Sequence, residues 1–129
     1  NLIDVFIVLK RYHVKDRIFR VIDDVSETSG MEQVKILLSQ VYRYDYESHQ
    51  LKMANPSSVY RDRLARQSGL SAREIMQEHK LRTLLLQELD RRNMTTIKEV
   101  ATFCRAYSKQ PDKITESLGF NRPELLAQI

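Results

Sequence analysis

Apolar and polar positions change their period near residue 55, and the change divides the chain. Leu2 to Tyr12 is rich in Val, Ile and Phe, and RIFRVIDDV from Arg17 to Val25 is similar. Both stretches predict strands, with HVKD turning between them as a hairpin that lacks the usual Asn-Gly or Asp-Gly pair. The polar run SETSGMEQ, centred on Gly30, predicts a loop. VKILLSQVYRYD predicts a third strand, DYESH a turn and QLKM a short returning strand. Tyr42, Tyr44 and Tyr46 alternate with Arg43 and Asp45, which sets the tyrosines on one face, where packing is their ordinary role.

After Asn55-Pro56 the pattern becomes helical. Ser57 or Ser58 caps a helix ending near Gly69. Ser71 and Glu74 form a capping box for a second helix running towards Asn93, with Ile75, Leu81, Leu84, Leu85 and Leu89 on its apolar face. Thr96 and Glu99 repeat the box for a third, with Ile97, Val100, Phe103, Cys104 and Tyr107. Pro111 stops that helix and starts a short one ending at Gly119, and Asn121 caps a last turn or two. The class is therefore α+β: antiparallel strands and hairpins first, then three to five helices. Residues 1–55 form the strand-rich part and 56–129 the helical part of one compact piece.

The opening strand is the most apolar of these elements. LIDVFIVL is apolar at nearly every position, as in a strand covered on both faces. The chain is thus expected to be a piece of a longer protein and, when isolated, to self-associate through this strand.

Composition narrows the possible partners. The 129 residues are 42% hydrophobic and 29% charged, with a net charge of +4. That balance permits an anionic partner without requiring one. A single cysteine, Cys104, rules out an internal disulfide framework, and its place among apolar neighbours suggests a small buried side chain. The longest apolar runs, such as Val5 to Leu9, are too short to cross a bilayer.

The sequence carries few residues in chemically suggestive patterns. The three glycines precede Met31, Leu70 and Phe120, so no phosphate-binding Gly-x-x-x-x-Gly-Lys loop is present. His13, His49 and His79 have no His or Cys at zinc-ligand spacing; the first two are expected in turns and the third on a helix. Asp23 and Asp24 are adjacent on a strand and do not converge on one atom. No catalytic, cofactor-binding or metal-binding residue is therefore expected. LARQSGLSAREI, Leu64 to Ile75, does have the form of a helix-turn-helix, with Arg61, Arg66 and Arg73 as its DNA contacts. The same residues are explained by a glycine helix stop and a capped helix start, and the second helix is long for a reader of the major groove. DNA binding is therefore the alternative reading, with no specific nucleic acid expected.

The order of elements resembles the C-terminal end of archaeal type II/type IV secretion-system ATPases, the superfamily that drives pilus, archaellum and secretion machines. LIDVFIVLKRYHVKDRIFRVIDDVSE is similar to the paired strands that follow their nucleotide site. VYRYDYESHQLKM resembles their aromatic-Asp hairpin, with Tyr42, Tyr44 and Asp45 in the key places. The stretch from Ser57 to Gly119 resembles their terminal helices: a glycine break, a long Glu/Arg/Leu helix, a Thr-capped helix and a Pro-Asp stop. The first hairpin departs in having no turn glycine, and Tyr44 stands where Trp is frequent. The resemblance implies a hexameric RecA-like ATPase at the cytoplasmic face of the membrane. Its ATP and Mg sites would lie outside this segment. The segment would complete the motor's sheet, add a helical subdomain and contact neighbouring ring subunits and the membrane platform protein.

Overall fold

A computed structural model describes residues 3–129, which form two compact units. The first ends at Gly69; the second runs from Leu70 to Ile129. The helix that follows Pro56 belongs to the sheet-bearing unit.

The first unit is a four-stranded antiparallel meander: β1 (Val5–Val14), β2 (Arg17–Glu32), β3 (Lys35–Asp45) and β4 (Gln50–Met53), in the order β1-β2-β3-β4. It is followed by α1 (Val59–Ser68). The strand expected from Leu2 begins at Val5; Leu2 itself lies outside the described residues. The β1–β2 turn is Lys15-Asp16, with Lys15 at φ 54°, the left-handed conformation that Asn or Gly adopts more easily. His13, expected in that turn, is within β1.

The largest difference from the sequence reading is SETSGMEQ. It is not a loop: β2 continues to Glu32, and the chain turns at Gln33-Val34. Polarity misled because these side chains find partners within the fold, most of them distant in sequence, and one of them caps a helix. The Ser26 hydroxyl donates to Asp24 at 2.9 Å, and Thr28 Oγ1 donates to the Ile3 carbonyl at 3.1 Å. Glu27, also buried, accepts from the Ser58 hydroxyl, from Val59 N–H at 2.9 Å and from Tyr60 N–H at 3.4 Å. The strand thereby supplies a carboxylate to the positive end of α1. The β2–β3 register shifts at Val25/Ser26 and Thr28/Gly30, and Gly30 takes φ 146°, a conformation L side chains rarely adopt. Arg63 on α1 bonds Asp4 at 2.8 Å, a second tie between helix and sheet. Ser58 caps α1 by accepting from Arg61 N–H, and Gly69 ends it at φ 72°.

The second unit holds α2 (Ala72–Arg91), α3 (Ile97–Lys109), α4 (Pro111–Ser117) and α5 (Arg122–Gln128). Ser71, Thr96 and Asn121 cap α2, α3 and α5 as expected, each accepting a backbone N–H three residues on. Leu81, Leu85 and Leu89 recur every fourth residue and form the core with Tyr107 and Leu118. Met94, Phe103, Ile114, Phe120, Leu125, Leu126 and Ile129 pack around them. Leu84, expected in this face, is exposed because it lies off the Leu81–Leu85–Leu89 row. Cys104 is exposed too: α3 turns Phe103 and Tyr107 inward, and the thiol falls beside that stripe.

Candidate interaction surface

An aromatic cluster occupies the hairpin end of the sheet. Tyr12 lies directly opposite Phe19 across β1 and β2, and the two rings stack with centroids 5.1 Å apart. Tyr46 meets Tyr12 at 5.0 Å and Tyr44 at 4.9 Å, both edge-on, and His49 stacks on Phe19 at 5.7 Å. The polar heads are also engaged. Tyr12 Oη lies 3.2 Å from both the Tyr44 hydroxyl and His49 Nδ1, and Tyr46 donates to the Asp23 carboxylate. The Tyr44 hydroxyl pushes Tyr12 up to about 12, and the Asp23 carboxylate does the same to Tyr46. Asp45 is held well below the usual carboxylate range by Lys52 at 2.7 Å, the Glu47 N–H and the Ser48 hydroxyl. A groove of about 710 Å³ runs alongside, where Asp23 and Asp45 face Arg43 and Lys52. Every carboxylate and phenol named here already has a partner. The cluster makes the hairpin rigid; it offers no activated nucleophile.

Elsewhere the same sheet is bare. On β1, Ile7 is 61% and Leu9 75% exposed, and Val8 between them is exposed on the opposite face. Ile36, Leu37 and Leu38 repeat this on β3, and Ile18, Ile22 and Met31 are exposed on β2. Val41 and Tyr44 are the buried apolar side chains of this unit among the described residues. Isolated exposed hydrophobes are ordinary, but consecutive ones on both faces of two strands make this sheet the candidate interaction surface.

In the helical unit a charged clasp ties α2, α3 and α5 together and reaches α4. Glu78 on α2 accepts from Tyr107 Oη at 2.6 Å, Arg122 Nη2 at 2.7 Å and Arg82 Nε at 3.0 Å. Arg122, at the start of α5, also donates to Tyr107 Oη at 3.1 Å and Asp112 at 3.3 Å. Arg82 lies 5.4 Å from the Tyr107 ring centroid. A pocket of about 370 Å³ opens beside the clasp, lined by Gln77, Pro111 and Leu126 together with clasp residues. Burial opposes ionisation of Glu78, but the Tyr107, Arg82 and Arg122 donors outweigh it, and its pKa lies below the ordinary value. Because the folded pKa is depressed, the stabilisation is present above the unfolded value of about 4.3 and is lost as pH falls through the folded value. Urea midpoints should therefore fall below about pH 4, and Glu78→Gln should flatten that dependence. An identical slope in the variant would remove Glu78 as its source.

The residues named for DNA contact are divided between the units. Arg61 and Arg66 are on α1, where Arg61 is half-buried and its Nη2 donates to the Pro56 carbonyl at 2.8 Å; Arg73 is exposed in the first turn of α2. Among the described residues, no three His, Cys, Asp or Glu side chains gather as a metal site, and no helix is long and apolar enough to cross a membrane. The residues that sequence reasoning missed are Glu27, Glu78 and Arg122. Glu27 was hidden inside an apparent loop; of the partners of Glu78, Tyr107 and Arg122 lie far along the chain, where no local signal points. No protein-family model and no curated protein matches the chain.

Proposed function

We propose that the chain is the C-terminal part of a hexameric secretion or pilus-assembly ATPase. Its role is subunit contact and force transmission, with no ATP site of its own. The observation that carries this reading is the sheet whose β1 and β3 expose apolar side chains on both faces. A surface of that kind suits a sheet continued and covered by the rest of a motor domain. The order of elements agrees with the resemblance: hairpin strands, an aromatic-Asp turn at Tyr44 and Asp45, then capped helices. ATP and Mg belong to the parent, and the partners are neighbouring ring subunits and the membrane platform protein. Peripheral placement at the cytoplasmic face of the membrane follows from the same reading.

The test compares the parent ATPase with and without the residues matching Leu2 to Gly119, following hydrolysis and hexamer formation together. Truncation is expected to impair both, while the 129-residue chain alone neither binds nor hydrolyses ATP, having no glycine-lysine loop to hold phosphate. Normal assembly and turnover by the truncated parent, or hydrolysis by the isolated chain, would overturn the proposal.

A further inference from the structure

β1 is an edge strand; among the described residues it pairs with β2 alone. The backbone groups on its outer side are therefore open to another strand. It is ten residues long and free of proline, and its first half, VFIVL, carries no charge. We propose that this edge pairs antiparallel with the same edge of a second copy of the chain, about a two-fold axis at Ile7.

Charge and register select that axis. In a two-fold antiparallel pair whose faces match, the axis passes through a residue, and each neighbour faces the residue equally far on the other side. With Ile7 on the axis, Ile7 faces Ile7, Phe6 faces Val8, Val5 faces Leu9, and Asp4 faces Lys10. All the central pairs are apolar, and an acid meets a base at each end. Moving the axis to Phe6 sets Asp4 against Val8; moving it to Val8 sets Lys10 against Phe6 and Asp4 against Tyr12. Between Asp4 and Lys10 each alternative places a charge on an apolar or aromatic partner, whereas with Ile7 on the axis the first such pair, Ile3 with Arg11, lies outside that span. The ladder already reaches Asp4, whose carbonyl accepts from Thr28 N–H at 3.0 Å. Arg63 holds Oδ1 of Asp4, and Oδ2 has no hydrogen-bond partner among the described residues. Lys10 is exposed and lies 5.8 Å from the Tyr46 ring centroid, with no ion pair to a carboxylate among the described residues.

The inference concerns the edge of the free chain and does not rest on the motor reading. Sedimentation of the 129-residue chain should show a reversible dimer. Lys10→Glu, an exposed site whose fold is checked by circular dichroism, should weaken it about tenfold or more by setting two acids opposite, whereas Lys10→Arg should retain it. Register is read in a Cys104→Ser background: Ile7→Cys should form a disulfide dimer on oxidation, and Leu9→Cys, which faces Val5, should not. A monomer at high micromolar concentration, a dimer indifferent to Lys10→Glu, or preferential cross-linking at residue 9 would overturn the pairing. None of these outcomes would alter the ATPase comparison that tests the motor.

Discussion

Leu85→Ala should destabilise the helical unit by about 2–4 kcal/mol. Leu85 is fully buried, as is Leu81 one turn before it, and Leu89 one turn after is nearly so. Tyr107 and Leu118 close the same cluster from α3 and the end of α4. Truncating the side chain removes its transfer free energy and leaves a cavity that fixed helices only partly refill. In a unit this small the loss corresponds to a drop of about 10 °C or more in melting temperature. Leu84→Ala, one position away but exposed, is the internal comparison and should change the melt little. Equal shifts for the two variants would mean that Leu85 is not where the core lies.

Glu27→Ala should cost the sheet-bearing unit about 2–3 kcal/mol, because three donors lose their shared acceptor together. Two of them are backbone N–H groups in the first turn of α1, which have no intrahelical partner, and the third is the Ser58 hydroxyl that itself caps the helix. Ser58 is buried, so water does not readily replace the carboxylate. Glu27→Gln keeps an acceptor but loses the charge facing the helix dipole, and should fall between wild type and Ala. Chemical denaturation followed by circular dichroism orders the three; a wild-type midpoint for Glu27→Ala would show that the cap contributes nothing.

The helices were legible because their signals are local. Capping residues, a proline start and apolar repeats each lie within a few residues of the boundary they set, as at Ser71, Thr96 and Pro111. The meander was legible for the same reason in β1, β3 and β4. β2 was not: its continuation past Val25 depends on Glu27 reaching α1 and on Thr28 bonding the chain before β1. A buried polar run whose partners are distant in sequence looks identical to a solvated loop. Cys104 failed differently, since a residue at the margin of an apolar stripe is placed inside or outside by a small rotation of the helix. The clasp of Glu78, Tyr107 and Arg122 combines residues from three helices and gave no local sign.

The meander has a kinetic consequence. Each strand pairs with the next in sequence, and no connection crosses over the sheet. The turns that join the first three strands are only two residues long, so each pairing closes a short loop at little entropic cost. Contact order is therefore low for a β-rich chain, and the sheet should form hairpin by hairpin, faster than a sandwich of similar strand content.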